Sequence, residues 1–533
     1  MSSTSTVRFG LDDWAKGHRG LRNAHDTERC SIQELMLYSN GLLGPRPAWQ
    51  NEVTLSTSLI QNTRIFQARY NFGFSSSPNA EGFLAISDGR AEFFEYGTTT
   101  AYATKIAAGI GDGIDPYSTV TQITDVMWLV HGTVVTLSGP APADPRTITT
   151  VDAGAALDTR FMGAASLSLD GSTVHQGRAF FWGSKLVGSA YEDSNRVYYS
   201  DSVIVGGATA YQTFTSADQF FDVDGTVRGC VSIGASLFIW TEDGAWTIMQ
   251  GSGDPANATF NSLGVGRIPQ IGRVPVRIDN TALFTSSDGM SLVVMGAGGQ
   301  QDDKTLGHLG ISGTGSDTSN PQGSANSLLN NVCIPRYGGG ILETRFSRNG
   351  VWYREIWSSV ADVSYGWQID VGGLDYFDLL AWFDNTASAW KVSQRFSTAE
   401  GPPLSIAGDH SEFAETPTGI LYLPRIFQST KQVRVKRVVV DGVIYVAGDF
   451  YETPAVSVDV WDGTASHPMT IGPGSTPLTD PGSGTKNVRL VFTPTDGPHP
   501  HNRFVEVGLS GMKGLSIEAV TVEYETSEGP ITV

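Results

Sequence analysis

The sequence predicts an all-β chain: a β-propeller of about seven blades over 81–429, preceded by an irregular N-terminal docking segment, 1–80, and followed by a C-terminal antiparallel β-sandwich, 430–533. Three observations lead there. Short aromatic and β-branched strands closed by turn residues recur through most of the chain, as in Arg178-Ala179-Phe180-Phe181-Trp182-Gly183 and Ser236-Leu237-Phe238-Ile239-Trp240. Successive hairpin units start roughly 40 to 60 residues apart, the period of a four-stranded blade with one or two long loops, whereas a sandwich shows turn signals about every 8 to 12 residues. The 62 glycines, with 17% charged against 40% hydrophobic residues, signal many turns between apolar runs and leave little room for long helices.

Residues 1–80 are the least regular. Ser31 to Tyr38 fits one short helix, capped by Ser31 with Glu34 in the capping-box position, and fits a short strand nearly as well. Pro45 and Pro47 then restrict the backbone and remove donors, so Ser39 to Trp49 reads as a turn leading into an extended surface segment.

From residue 81 the hairpins begin. Phe83–Ser87 and Ala91–Tyr96 flank Asp88-Gly89, Ile123–Val130 and Thr133–Ser138 flank His131-Gly132, and Val231–Thr241 and Ala245–Met249 flank Asp243-Gly244. Val276–Ser286 and Met290–Met295 flank Asp288-Gly289, Ile341–Phe346 and Val351–Trp357 flank Asn349-Gly350, and Leu379–Phe383 pairs with Ala389–Val392 across Asn385. Asp-Gly and Asn-Gly favour the left-handed backbone of a tight hairpin. The polar stretch from Gly296 to Asn326 reads as a long exposed loop, and Gly472 to Lys486 as another low-complexity stretch. In the C-terminal sandwich, Val433–Val440 turns at Asp441-Gly442 into Val443–Val446, and Val456–Trp461, Val488–Phe492, Phe504–Leu509 and Leu515–Tyr524 follow.

A formal charge of −19, from 35 basic and 54 acidic residues, argues against a dedicated nucleic-acid binder. It is compatible with a conduit, because acidic or neutral walls do not trap phosphates. Cys30, Cys230 and Cys333 are odd in number and widely spaced, which suits buried thiols in a protein made in a reducing cytoplasm. The first residues lack the basic-then-apolar pattern of a signal peptide, and no apolar run is long enough to span a bilayer as a helix.

Motifs that carry chemistry are scarce. Asp-Gly turns followed by an aromatic, as at Asp243-Gly244 and Trp246, are similar to the Asp-box hairpins of sialidase-like propellers, where the boxes are structural. Catalysis of that kind needs converging arginines, a tyrosine nucleophile and a carboxylic acid; Arg178, Arg196, Arg228 and Arg273 supply charge, but their spacing does not specify convergence. Asp222-Val223-Asp224-Gly225 has alternating carboxylates suited to Ca²⁺ yet too few of them, so a plain turn is expected. His499-Pro500-His501 lacks further zinc ligands at workable spacing and reads as a loop. Neither a phosphate-binding loop nor a nucleophile elbow is present. No catalytic residue, cofactor or metal is therefore expected, and a structural role is.

Arg196-Val197-Tyr198-Tyr199-Ser200-Asp201, then Phe221-Asp222-Val223-Asp224-Gly225, then the hairpin ending Trp246-Thr247-Ile248, resemble in order the propeller-bearing nozzle proteins (tail tubular protein B type) of short-tailed bacteriophages. Asn40 to Pro47 is similar to the N-terminal segment of that group, although Ala48 stands where a glycine often follows the Arg-Pro pair. The resemblance covers 35–300 with loose motifs and implies a structural virion protein, made in the host cytoplasm, that forms a ring of identical subunits, six in nozzles. The implied partners are the tail adaptor or portal, tail fibres or spikes, and double-stranded DNA in transit without specific binding. In that setting Arg46, Pro47 and Trp49 are the expected interface residues, with intrachain packing as the equal alternative. A receptor-binding or fibre-anchoring tail-tip protein, and a carbohydrate-active propeller enzyme, are the other expectations.

Overall fold

The computed structural model describes residues 3–14, 30–37, 41–45, 50–55, 63–70, 80–87, 90–95, 99–101, 103–106, 119–123, 126–131, 133–138, 147–150, 167–168 and 170–186 in the first part of the chain. Further on it describes 192–202, 219–251, 253–269, 275–278, 280–288, 291–305, 324–326, 331–336, 340–345, 351–356, 360–370, 376–384, 387–397, 419–428, 430–446, 456–478, 484–512 and 515–527.

Alternating apolar strands joined by tight turns build seven antiparallel meanders. Blade 1 comprises Arg64–Tyr70, Ala80–Ser87, Arg90–Glu95 and Ala103–Ile106, and blade 2 comprises Thr119–Ile123, Val126–His131, Thr133–Ser138 and Thr147–Thr150. Blade 3 has Leu167–Ser168 and Gly171–His175 side by side against Arg178–Leu186, followed by Glu192–Tyr199 and Phe220–Asp222. Blade 4 is Val227–Ile233, Ser236–Thr241, Ala245–Gly251 and Ala258–Val265; blade 5 is Val276–Ile278, Thr281–Thr285, Ser291–Gly296 and Gln301–Thr305. Blade 6 is Ser324–Asn326, Asn331–Arg336, Gly340–Arg345 and Val351–Ile356.

Blade 7 takes three strands, Val360–Asp370, Tyr376–Asp384 and Ala389–Ser397, from the end of the propeller and its outer strand, Gln50–Thr54, from the beginning. Thr54 lies opposite Lys391 and Val53 opposite Val392, and the Leu55 amide donates to the Trp390 carbonyl at 2.8 Å. Leu55, Ile65, Phe83, Phe94, Phe383 and Trp390 share one apolar core across the seam, with the first strand of blade 7 beside the first strand of blade 1. The ring is thus closed, and each such buried side chain contributes about 1.5–3 kcal/mol toward keeping it so.

Several expected strands are divided. Val231–Thr241 contains a turn at Gly234 (φ 58°), and Ile123 pairs with Val126 across a turn of its own. Val276–Ser286 likewise folds back between Ile278 and Thr281. In each case this pairing within an apolar run supplies the blade's innermost strand.

The other sheet is larger. Ser457–Trp461, Ser466–Ile471, Gly484–Pro494, Gln432–Val446 and Leu515–Ser527 are neighbours in that order, and Phe504–Ser510 lies against Ser457–Trp461. Phe504–Ser510 also touches Gln432–Val446, remote from it in strand order, so the sheet folds over a shared core that includes Val438, Leu490, Val507 and Val520. The domain reaches back beyond residue 430, because Ile420–Tyr422 and Ile426–Phe427 also pair with Phe504–Ser510. The hairpin expected at Asp441-Gly442 is absent: Gln432–Val446 runs straight through with a bulge. A Cβ on Gly442 would stand 2.4 Å from the Ser516 carbonyl oxygen, so this glycine permits a close strand approach and makes no turn.

The N-terminal segment is not a separate docking element. Ser3–Phe9 pairs with the last strand, from Ser3 opposite Thr526 to Phe9 opposite Val520. Ser31–Gln33 pairs with Ile420–Tyr422, and Leu35–Leu37 with Leu43–Pro45. The strand alternative therefore holds for Ser31–Leu37, broken by Glu34 at φ 56°. The cause is burial: Phe9, Trp14, Cys30, Ile32, Leu35, Leu37 and Leu43 complete the C-terminal core. Ser31–Gln33 also meets the outer strand of blade 6, Gln33 lying opposite Arg354, which hydrogen-bonds the two domains into one sheet.

Candidate functional site

The turn between the first strands of blade 3 has left-handed φ at both central residues, Gln176 (44°) and Gly177 (74°), as a type I′ hairpin requires. It places the side chains of His175, Gln176 and Arg178 against neighbouring segments. His175 Nδ1 lies 2.8 Å from Ser232 Oγ in blade 4. Gln176 Nε2 donates to the Ala235 carbonyl at 3.1 Å, and Arg178 donates to the Ser200 carbonyl at 2.7 Å while standing 3.8 Å from Asp254. From blade 5, Arg277 donates to the Ser232 carbonyl at 3.4 Å. One corner thereby ties three blades together.

Burial, and secondarily the charge of Arg277, hold the His175 imidazole down to about 4, so it is neutral at neutral pH. A serine and a histidine in contact invite a nucleophilic reading, which the geometry does not support. His175 and Ser232 are buried, and among the described residues the His175 Nε2 has no hydrogen-bond partner and no carboxylate orients the ring. The pair acts as an inter-blade latch.

The Asp-Gly hairpins are structural too. In blade 4 the Thr241 hydroxyl donates to Asp243 Oδ1, which holds that carboxyl below its usual range, and Gly244 takes φ 87°. Blade 5 repeats the device: Ser286 donates to Asp288, and the Ser291 amide donates to Ser286 Oγ at 3.0 Å. Trp246 stacks between Trp240 and Phe284, with centroids 5.4 and 5.9 Å away, and its indole N–H donates to the Arg267 carbonyl at 2.9 Å.

The described arginines among those the sequence singles out, Arg178, Arg196 and Arg228, are each tied locally. Arg196 makes two hydrogen bonds to Asp222, at 2.8 and 3.2 Å, with its guanidinium 3.7 Å from the centre of the Phe220 ring. Arg228 pairs with Glu242 at 2.8 Å, and Arg273 lies outside the described residues. Arg178 and Arg228 sit at the starts of strands on opposite ends of their blades, Arg178 after the inner hairpin turn and Arg228 before it. Asp222 is engaged by Arg196 and Gly225 takes φ 97°, so the Asp222–Gly225 segment is a turn. Among the described residues no group of three or more His, Cys, Asp or Glu is placed to hold a metal ion.

His499 is buried against the His467 ring, centroids 5.2 Å apart; burial and then His467 hold it below its ordinary range. His467 Nε2 lies 3.0 Å from Asp462 Oδ2. Burial opposes the ionised form of Asp462, but the Ala465 amide, His467 and Thr464 outweigh it and hold the carboxyl down. His501 stands 3.4 Å from Glu525. This polar cluster joins strands of the C-terminal domain and was not evident from His499-Pro500-His501 alone.

Arg46, Pro47 and Trp49 lie outside the described residues. The chain passes through 46–49 between Leu43–Pro45 of the C-terminal core and Gln50–Thr54 of blade 7. The inter-blade latch had no sequence signal beyond the Gln176-Gly177 turn, because a histidine at a strand end does not disclose which neighbour it meets.

No known family and no curated protein matches the chain. Among solved structures it is similar to BBS1N in complex with ARL6DN, at 10% identity over 67% of this chain and 99% of that one, with a TM-score of 0.40. It is also similar to BamB from Moraxella catarrhalis, at 11% identity over 66% of this chain and 100% of that one, TM-score 0.35. A streptogramin B lyase matches at 9% identity over 63% of this chain and 98% of that one, TM-score 0.32.

Proposed function

We propose that the chain is a structural protein of a bacteriophage tail, the nozzle ring that extends the DNA channel, retains the genome and anchors fibres or spikes, working by shape and without catalysis. The observation that carries this reading is the ordered run Arg196–Asp201, Phe221–Gly225 and Trp246–Ile248, which resembles nozzle proteins in sequence and here forms strands and a turn of blades 3 and 4. A propeller closed by Gln50–Thr54 from before its first blade, with Ser3–Phe9 paired to Leu515–Ser527, suits a part that must hold its form under load. The charge of −19 suits walls past which DNA slides. In this reading the protein resides in the virion and meets the adaptor or portal on one side and fibres or spikes on another.

A tail-tip role in receptor binding or fibre anchoring is the second reading, favoured by exposed aromatic residues such as Phe427, 56% exposed. Cryo-electron microscopy of particles separates the two. Six copies around the tail axis support the nozzle, three copies at a distal tip support the alternative, and absence from particles overturns both. Deleting residues 1–50 is not a clean test of docking, because it removes strands of the C-terminal core and the first residue of the ring closure.

A further inference from the structure

The outer strand of blade 4, Ala258–Val265, differs from the other outer strands of the ring. It is eight residues long, pairs with Ala245–Gly251 on one side, and meets no described strand on the other. Residues 259–267 are all exposed, and 258–266 contain neither a charge nor a proline. Open sheet edges are ordinarily guarded by shortness, charge, proline or cover. The other blades follow that rule. Ala103–Ile106 and Thr147–Thr150 have four residues each, and Phe220–Asp222 has three and an acid. Gln301–Thr305 carries Asp302, Asp303 and Lys304, Gln50–Thr54 carries Glu52, and Val351–Ile356 is covered by Ser31–Gln33.

The unguarded edge is also held in shape. Phe260 rests against Phe221 of blade 3, centroids 4.9 Å apart. Leu263 leans toward blade 5, where a Cβ on Gly299 would stand 2.5 Å from it, and Val265 is 81% exposed. One bulge, between the Trp246–Gly264 and Thr247–Ser262 pairs, leaves Ala258–Ser262 in regular register. A row of backbone donors and acceptors is thus presented on a fixed, uncharged edge.

We infer that Ala258–Val265 is an assembly strand that pairs, edge to edge, with a second copy of this chain. Charge selects the occupant. Two molecules of formal charge −19 repel wherever their carboxylates oppose each other, and the nine-residue run 258–266 is a stretch of rim where two copies meet with no like charges facing. A charged partner strand would gain no counter-charge there. Main-chain hydrogen bonds supply affinity whatever the side chains, as in strand addition generally. The contact is small, so association is weak, and it strengthens with salt as the long-range repulsion is screened. The inference rests on this edge and not on the tail reading, so the two fail separately.

Sedimentation of the full chain tests it, at rising concentration to roughly 1 mM, where even an association with a Kd of that order is half populated. The wild type is expected to exceed the 57.0 kDa monomer mass, more so at high salt. The double variant Asn261→Asp, Val265→Asp, whose positions are exposed, is expected to associate at least tenfold more weakly at unchanged Tm. The double variant Ser457→Asp, Thr470→Asp, both positions exposed on the C-terminal domain, adds the same two charges and is expected to leave association within about twofold of wild type, which controls for net charge. A mass that stops at two copies indicates two-fold pairing and a larger one a head-to-tail ring, and either supports the assembly strand. A wild type that stays monomeric throughout, or a double variant that associates like wild type, overturns it.

Discussion

Gly229 and Trp240 lie directly opposite each other on the two inner strands of blade 4, and the indole fills the place where Gly229 has no side chain: a Cβ there would stand 2.0 Å from the ring. Blade 3 repeats the pair with Gly171 and Trp182, at 2.3 Å. In both blades the tryptophan follows the glycine by eleven residues, so these two blades share a packing rule despite weak sequence identity. Gly229→Ala must displace a buried ring and is expected to destabilise the propeller by about 1–3 kcal/mol, while Trp240→Ala, which leaves a cavity, costs about 3–5 kcal/mol. Thermal unfolding checks both, and an unchanged Tm for Gly229→Ala would contradict the packing described.

What the sequence disclosed follows the range of the interactions. Asp243-Gly244 and Asp288 were readable because their hydrogen bonds run to Thr241 and Ser286, two residues away. Asp441-Gly442 was misread because the same dipeptide serves a close approach to Ser516, a contact no local pattern reveals. The seven-blade count was legible in turn spacing, yet the assignment of Gln50–Thr54 to blade 7 was not, since its partner lies more than three hundred residues downstream. Val7, Phe9 and Trp14 gave no hint that their cover is the last strand, and His175 gave none that it meets Ser232.

The ring closure predicts a seam that opens before the rest. Leu55 is buried just after Gln50–Thr54 among Ile65, Phe83 and Trp390. Leu55→Ala is expected to cost about 2–5 kcal/mol. Hydrogen exchange should rise in Gln50–Thr54, Ala389–Ser397 and Arg64–Tyr70, with the C-terminal domain unchanged. Uniform loss of protection across all blades would show instead that the ring unfolds as one unit.

The N-terminal strand predicts coupling between chain ends. Trp14 is fully buried in the C-terminal core, next to Ser3–Phe9 on the edge of Leu515–Ser527. Trp14→Ala is expected to cost about 3–5 kcal/mol and to expose amides of Leu515–Ser527 to exchange while the blades keep their protection. Loss of protection confined to Ser3–Phe9 would mean that the C-terminal core stands without its N-terminal half.

The His175–Ser232 latch predicts a pH dependence with a definite sign. Folding lowers the His175 pKa from the ordinary 6.5 to about 4, because burial, aided by Arg277, disfavours the imidazolium. Between those values the unfolded chain holds a proton there that the native chain does not, so acid favours unfolding. The contribution is intact above pH 6.5 and is lost progressively as the pH falls toward about 4, to a total of up to ~3 kcal/mol. His175→Gln keeps a polar side chain at the corner and removes the titration. Comparing Tm from pH 4 to 7, the wild type should fall more steeply than the variant as acid is added, and parallel curves would show that the imidazole does not sense the window assigned to it.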